Sequence, residues 1–376
     1  MPLEEAAIDA SCILLRADGN LWQCTSAGMP VSLYWDSDAY DFGNGLDGVR
    51  KIYVASDVRS IGPYARINVD YGYGVRNSLN RYFSWSFPYA TTLHFLTDSR
   101  NANACSSIAD SAFQYWEELT RVVNFDRTRL IRIGKHMFTG TGVKSLALPP
   151  TLKTIAPYGF SGAADLRSIS GLGKTKVSSI GKHAFYGCGV RSLSLPKTLK
   201  SVASYGFYGA KDLRTVSGLN KVKITSLAAS AFRDCESLRS ISLPKSCKVI
   251  GERTFEGCKQ LKTVALGSKT TSIKDWAFSD CERLASIKLP ASCKRIGSGA
   301  FSGCIRLKKV VLQTKSMVRN DTRASYSMYS VFYQTPLMRK GGKARILVPK
   351  SQLAKYRSTG FDSPWRDFRT KIRAIG

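Results

Sequence analysis

The stretch of sequence that decides the fold runs from Cys281 to Phe301 and reads CERLASIKLPASCKRIGSGAF. Its first half, Leu-x-x-Ile-x-Leu-Pro, alternates apolar and polar residues as a short strand does. Its second half ends in Ile-Gly-x-x-Ala-Phe, and the segment between the two is too short for a long helix. The same unit recurs between residues 108 and 312, each copy marked by one aromatic residue: Phe113, Phe138, Phe160, Phe185, Phe207, Phe232, Phe255, Phe278 and Phe301.

The spacing of these phenylalanines indicates the architecture. Successive ones lie 25, 22, 25, 22, 25, 23, 23 and 23 residues apart, and a period of about 20 to 29 around Leu-x-x-Leu-x-Leu is typical of a leucine-rich repeat solenoid. The apolar residues of one coil cannot enclose themselves, so neighbouring coils have to stack. We predict an α/β repeat fold: a leucine-rich repeat solenoid with a curved parallel sheet on its concave face, short helical or irregular convex segments, and a cap at each end.

Three regions follow from the extent of the repeats. Residues 105–312 are predicted to form an array of about nine coils, and residues 313–376 a C-terminal capping segment. Residues 1–104 are predicted to form an aromatic-rich N-terminal cap, with Trp22, Trp35 and Trp85 among its aromatics, in which divergent repeats are also expected. Those aromatics either cover the first coil or form a patch that grips a ligand.

The repeat motif resembles that of a known family. Cys281-x-x-Leu-x-x-Ile-x-Leu-Pro followed by Ile296-Gly-x-x-Ala-Phe is similar, without a gap, to the 23-residue repeat of BspA-like, or treponemal-type, leucine-rich repeat proteins. The segment Ile346-Leu-Val-Pro-Lys350, followed by Tyr356 and Trp365, resembles the end of such arrays. The resemblance implies a protein of a kind that is mostly located at the cell surface or secreted and that binds host proteins, other cells or matrix.

The N-terminus points in another direction. Met1-Pro-Leu-Glu-Glu5 carries acid instead of Lys or Arg, and no apolar signal core follows it. No stretch reaches the eighteen or so apolar residues of a membrane span. Three alternatives stay open for the localisation: a cytoplasmic protein, a fragment of a longer chain, or export by a route that the sequence does not display.

Cysteine placement favours buried thiols. Cys188, Cys235, Cys258, Cys281 and Cys304 each follow the repeat Phe by three residues, which predicts a structural column inside the solenoid. Cys247 and Cys293 fall in a second column two coils apart, about 10 Å by strand spacing, which is too far for a disulfide. Adjacent members of the first column, such as Cys258 and Cys281, lie near disulfide-bonding distance by the same spacing, so oxidation of such a pair is the alternative.

Positive charge is concentrated in the repeats and the tail. Residues 1–120 contain 8 Lys or Arg and 14 Asp or Glu, a net of −6, whereas residues 121–376 contain 48 and 13, a net of +35. Seven cations occupy one repeat position directly after the first Leu or Val of the strand motif, with Ala285 the one gap in the series. We name this set the basic edge: Lys144, Arg167, Arg191, Arg214, Arg239, Lys262 and Lys308.

Small hydroxylic residues are predicted beside the basic edge on the concave face. They include Ser170, Ser194, Ser217 and Ser242. A shallow serine-rich sheet with a cationic border suits an extended anionic partner, because charge steers the encounter and small side chains permit close approach. The alternative, that the cations only keep a sheet border soluble, stays open.

Catalytic motifs are weak. Gly43-Asn-Gly-Leu-Asp-Gly48 fits the dinucleotide pattern, but strand-like residues follow it instead of a helix. His136 and His183 are copies of one repeat position, which leaves His94 as the one independent histidine. The sequence contains no Cys-x-x-Cys pair, so a zinc site has no support from the cysteine spacing. We therefore predict no enzyme, no cofactor and no metal.

Two functions remain. The favoured one is macromolecular recognition, adhesin-like and chiefly protein–protein, through the concave face and the basic edge. The alternative is a cytoplasmic nucleic-acid-associated protein that binds the phosphate backbone electrostatically, as the pI near 9.9 allows. The concave positions offer almost no aromatic side chain for base stacking, and the oligomeric state is not predicted.

Overall fold

One coil, residues 232–250, shows how the repeat folds. Strand residues Ser240 and Ser242 point outward and are exposed, while Ile241 between them is buried. The coil's apolar positions all lie in the core, as predicted: Phe232, Cys235, Leu238, Ile241, Leu243 and Ile250. The period of two in the motif therefore puts one face of a short strand into the core and the other into solvent.

The structure is a computed structural model that describes residues 12–15, 21–24, 30–32, 51–54, 60–61, 90–97, 101–103, 105–314, 318–320, 330–339, 341–358 and 365–375. The chain forms two units, Met1–Val177 and Ser178–Gly376.

The first unit contains an eight-stranded sheet in the order β12-β10-β8-β6-β4-β1-β2-β3. Within this sheet β1, β4, β6, β8, β10 and β12 pair in parallel, whereas β1, β2 and β3 form an antiparallel meander. Two-residue strands form the parallel pairs β5–β7 and β9–β11. The bounds are β1 Cys12–Leu15, β2 Leu21–Cys24, β3 Pro30–Ser32, β4 Lys51–Val54, β5 Ser60–Ile61, β6 Thr92–Phe95, β7 Ser107–Ile108, β8 Arg121–Val123, β9 Arg132–Ile133, β10 Ser145–Ala147, β11 Thr154–Ile155 and β12 Ser168–Ser170, with 3-10 turns at Phe125–Arg127 and Leu172–Lys174.

The second unit repeats this plan with parallel strands throughout. Its longer strands form the sheets β14-β16-β18-β20 and β22-β24-β26-β27, and two-residue strands form the sheet β17-β19-β21-β23-β25 and the pair β13–β15. The bounds are β13 Ser179–Ile180, β14 Ser192–Ser194, β15 Ser201–Val202, β16 Thr215–Ser217, β17 Ser226–Leu227, β18 Ser240–Ser242, β19 Val249–Ile250, β20 Thr263–Ala265, β21 Ser272–Ile273, β22 Ser286–Leu289, β23 Arg295–Ile296, β24 Lys309–Leu312, β25 Arg319–Asn320, β26 Arg345–Val348 and β27 Ile372–Ala374. Helical segments are the 3-10 turns Leu219–Lys221, Ser330–Phe332, Pro336–Met338, Lys350–Gln352 and Arg366–Lys371, and the α-helix α1 Leu353–Arg357.

A ladder of stacked phenylalanine rings forms the centre of the second unit. Consecutive rings from Phe185 to Phe301 lie 4.9 to 5.5 Å apart and within 12° of parallel. The ladder continues to Phe332, whose ring centroid is 5.7 Å from that of Phe301. Phe332 lies in the segment predicted as the C-terminal cap, so the repeat architecture runs one coil further than the motif count.

The end of the chain closes this core. Tyr356 and Trp365 are buried, and both bind the backbone of Val318: the Val318 N–H donates to Tyr356 Oη at 2.9 Å, and Trp365 Nε1 donates to the Val318 carbonyl at 2.8 Å. Phe368 packs edge-on against Phe332. These aromatics replace the neighbour that the last coil lacks.

The parallel strands and the repeated coils confirm the predicted leucine-rich repeat solenoid. The bounds of the three predicted regions stay a prediction, although β4 and β6 place strands of the parallel sheet within residues 1–104. Trp35, Trp85 and the Gly43–Gly48 motif lie outside the described residues, and so does the side chain of Trp22.

Candidate partner-binding surface

The backbone sets the predicted basic edge in register within each unit. In the second unit the N–H of Arg214 donates to the carbonyl of Arg191 at 2.8 Å, that of Arg239 to Arg214 at 3.2 Å, and that of Lys262 to Arg239 at 2.9 Å. The N–H of Lys308 donates to Ala285, the predicted gap, at 3.0 Å. In the first unit the N–H of Arg167 donates to Lys144 at 2.9 Å. All seven residues of the basic edge are exposed.

Few carboxylates neutralise the basic edge. Arg167 forms an exposed ion pair of 3.5 Å with Asp165. Among the described residues, no carboxylate lies within ion-pairing distance of Arg191, Arg214, Arg239 or Lys262. Four neighbouring coils of the second unit therefore each present a positive charge that has no acidic partner among the described residues.

The outward positions of the strands, which we name the strand face, carry hydroxyl groups beside the basic edge. Ser192 pairs with Thr215 and Ser194 with Ser217, while Ser240 pairs with Thr263. The four predicted contact serines are all exposed: Ser170, Ser194, Ser217 and Ser242. Ser217 Oγ donates to the carbonyl of Leu193 at 3.4 Å. Small side chains at these positions leave the sheet surface open to an approaching chain.

The acidic residues of the second unit form their ion pairs near the turns instead. Glu236 bridges Lys211 and Lys259, at 3.4 and 3.2 Å. The hydrogen bond from Lys259, followed by the charges of both lysines, lowers the pKa of Glu236. Glu256 bridges Arg233 and Arg253 in the same way, at 3.3 and 3.2 Å. Since these carboxylates already have cationic partners, they leave the basic edge without counterions.

Stacked aromatic residues on the turns were not predicted. The rings of His136 and Tyr158 stack at 4.7 Å in the first unit, and those of His183 and Tyr205 at 4.9 Å in the second. All four residues have positive φ, between 54° and 60°. The sequence signal was the position two residues before the repeat Phe, where a bulky residue recurs in most coils. The backbone there has positive φ, a conformation that glycine adopts at less cost.

Titratable groups in the described part offer little acid–base chemistry. Burial, then the charge of Arg121, lowers the pKa of His94, and burial, then Lys182, lowers that of His183. Burial raises the thiol pKa of Cys247 to about 11 and of Cys293 to about 12, so both thiols stay protonated at neutral pH. In the described ranges no three His, Cys, Asp or Glu side chains come together as a metal-binding group.

The eight cysteines whose side chains the structure describes are buried free thiols, as predicted. Four of them donate to the carbonyl of the phenylalanine one coil earlier: Cys235 to Phe207, Cys258 to Phe232, Cys281 to Phe255 and Cys304 to Phe278, at 3.1 to 3.3 Å. The column is therefore structural, because each thiol satisfies a backbone acceptor between coils.

The stacked coils, the phenylalanine ladder and the strand face together define a leucine-rich repeat protein. Residues 87–214, 168–226 and 225–335 match the BspA type Leucine rich repeat region (6 copies), and these ranges span more than half of the chain. The chain belongs to the BspA-type leucine-rich repeat family. Proteins of this repeat type are generally non-enzymatic scaffolds that bind other macromolecules, proteins above all.

Solved structures agree with this fold. A leucine-rich repeat protein from Bacteroides ovatus is 22% identical with a TM-score of 0.56, and the match covers 88% of this chain and 84% of that one. The pneumococcal vaccine antigen PcpA is 13% identical with a TM-score of 0.46, over 97% and 98% of the two chains. A leucine rich cell surface protein from Faecalibacterium prausnitzii is 16% identical with a TM-score of 0.40, over 87% and 79%. The first likeness concerns the fold alone, and the other two are too distant to carry an argument.

No curated protein matches this chain. In the described part of the chain, no helix has the length and the apolar character needed to cross a membrane.

Proposed function

We propose that this protein is an adhesin-like binding scaffold whose strand face and basic edge bind an acidic macromolecule. The partner class that we propose is protein. The observation that carries the proposal is the register of Arg191, Arg214, Arg239 and Lys262 on neighbouring coils, without a carboxylate partner among the described residues. The site residues are the seven cations of the basic edge and the four contact serines.

The energetics of a single-sign column support a partner over plain solvation. Like charges on adjacent coils, about 4.8 Å apart at the backbone, repel each other by up to about 1 kcal/mol per pair in water. Alternating signs would keep the sheet border soluble and would attract instead. A column of cations therefore costs stability in the isolated protein, and an acidic partner offsets that cost.

We also propose that the protein acts at the cell surface or after secretion, as the family resemblance implies. Antibody labelling of intact cells checks this directly. Labelling of intact cells supports the proposal, and labelling only after lysis, with a cytoplasmic marker, contradicts it.

Capture with charge-reversed baits tests the binding function. The purified chain is compared with an Arg191→Glu/Arg214→Glu/Arg239→Glu variant, which changes the surface by six charges and leaves every inward residue in place. A Lys197→Glu/Lys200→Glu/Lys223→Glu variant carries the same charge change on exposed positions away from the edge. Both variants are first shown to melt as the wild type does.

The expected result is that a protein is captured by the wild type and by the control variant, but not by the edge variant, and that its capture persists after nuclease treatment. A partner that binds all three equally contradicts the role of the edge. A partner that disappears with nuclease was bridged by nucleic acid and supports the alternative function.

A further inference from the structure

The strand face changes character toward the C-terminus of the second unit. One row of outward positions crosses β22, β24, β26 and β27: Lys288 pairs with Val311, Val311 with Leu347, and Leu347 with Arg373. In the neighbouring row Ser286 pairs with Lys309, and Lys309 with Arg345. Where earlier coils present serine and threonine, these strands present cations around two apolar residues. We name this surface the C-terminal patch: Lys288, Lys309, Val311, Arg345, Leu347 and Arg373.

The C-terminal patch lies in the most basic part of the chain. Residues 283–376 contain 21 Lys or Arg and three Asp with no Glu, a net of +18 out of the chain's +29. None of the patch cations forms an ion pair with a described carboxylate. Its positive field is therefore not cancelled locally, and it attracts anionic groups of a partner.

The two arginines of the patch are held by the backbone. Arg345 Nη1 donates to the carbonyls of Gly342 at 3.1 Å and Ala344 at 2.8 Å. Arg373 Nη1 donates to the carbonyls of Thr370 at 2.9 Å and Ile372 at 2.8 Å. These bonds order both guanidinium groups while their remaining N–H donors stay available, which reduces the entropy lost when a carboxylate binds.

The apolar centre of the patch selects the class of partner. Val311 and Leu347 are adjacent, partly exposed and outward on the sheet. A nucleic-acid backbone or a sulfated glycan satisfies the cations but leaves these two side chains uncovered. A protein segment with both carboxylates and an apolar side chain satisfies the whole surface, because burial of the apolar contact adds to the charge attraction.

Strand spacing gives the pattern of that segment. Lys288 and Arg373 are three strands apart, about 14 Å at about 4.8 Å per strand. In an extended peptide, residues i and i+4 face the same side about 13 Å apart, with residue i+2 between them. We propose that the C-terminal patch binds an extended protein segment of the form acidic-x-apolar-x-acidic, which deepens the scaffold function proposed above and rests on it only for the identity of the natural partner.

The probe is a fluorescent peptide, Gly-Glu-Ser-Leu-Ser-Glu-Gly, titrated with the full chain at low ionic strength and followed by anisotropy. A permuted peptide, Gly-Glu-Glu-Ser-Leu-Ser-Gly, has the same charge and composition with the wrong spacing. The chain variants are Lys288→Glu/Lys309→Glu, Leu347→Thr, and the control Lys197→Glu/Lys200→Glu. Thermal melting establishes that each variant is folded, and Leu347→Thr keeps a residue suited to strands.

The wild type and the control are expected to bind the first peptide within about twofold of each other, and the double charge reversal to weaken it about tenfold or more. The permuted peptide and the Leu347→Thr variant are expected to bind several-fold more weakly. Absence of binding by the wild type, or equal binding of the two peptides, overturns the proposal. The proposal is also overturned if a heparin oligosaccharide or an oligonucleotide binds more tightly than the first peptide and its affinity is unchanged in the Leu347→Thr variant.

The variant with three reversed arginines separates this result from the function proposed for the basic edge. It is expected to keep its affinity for the peptide, since Arg191, Arg214 and Arg239 directly precede other strands, namely β14, β16 and β18. Loss of peptide binding in that variant, with retention in Lys288→Glu/Lys309→Glu, refutes the C-terminal patch but leaves the scaffold function standing. A peptide that binds as predicted supports the patch even when the capture experiment finds no partner.

Discussion

Truncating one ring of the phenylalanine ladder is expected to destabilise the whole second unit. Phe255 is fully buried, with ring centroids of Phe232 and Phe278 at 5.5 and 5.2 Å and ring planes within 12° of parallel. Phe255→Ala removes the ring and leaves a cavity, which costs about 3 to 5 kcal/mol. The two lost ring pairs account for about 1 to 3 kcal/mol of this, at about 0.5 to 1.5 kcal/mol each.

Urea unfolding measures this change, and native-state hydrogen exchange locates it. Because each coil is supported by its neighbours, protection should fall on the coils of Phe232 and Phe278 as well. Ile305→Ala, at an exposed position, is the control and should change stability by less than about 0.5 kcal/mol. A Phe255→Ala change as small as that of the control would refute the stacked-core reasoning.

The remaining predictions concern backbone contact and thiols. A Cβ at Gly251 would lie 2.5 Å from the Leu227 carbonyl oxygen, so Gly251→Ala should cost about 1 to 3 kcal/mol. Gly187→Ala, whose Cβ meets nothing within 4 Å, should cost less, about 1 kcal/mol for its positive φ. A larger loss of unfolding free energy in Gly187→Ala than in Gly251→Ala, measured by urea unfolding, would contradict this reasoning. Burial raises the thiol pKa of Cys247 from 9.0 to about 11, so its stabilisation is complete below pH 9 and is lost as pH rises toward 11, by about 1.4 kcal/mol per unit. Cys247→Ala should flatten the fall of stability over that range, and an unchanged slope would argue against a buried thiol. Thiol titration of unfolded, non-reduced protein should detect most of the ten cysteines, whereas two or none would indicate disulfides.

Much of the fold is predictable because the repeat is governed by local rules. The period of two around Ile241 fixes which residues face the core, and the position of each Phe fixes the register between coils. The ring of Phe332 escaped the motif count because no Ile-Gly-x-x-Ala precedes it. Its place in the ladder depends on packing against Phe301 and Phe368, which sequence spacing does not encode.

The candidate surface divides in the same way. The basic edge could be predicted because Arg191, Arg214 and Arg239 occupy one repeat position, and stacking preserves that position. Lys288 is aligned with the contact serines and could have been found by extending the same row. Arg345 and Arg373 could not, since the irregular spacing after residue 312 hides which strand pairs with which.

The most direct test of the scaffold function is the rate at which the captured partner associates with the chain at increasing salt. The wild type should associate fast at low salt and progressively more slowly as screening shortens the reach of the basic edge. The Arg191→Glu/Arg214→Glu/Arg239→Glu variant, folded and with six charges changed, should associate slowly at every salt concentration. Equal and salt-independent association rates for the two proteins would contradict recognition through the basic edge.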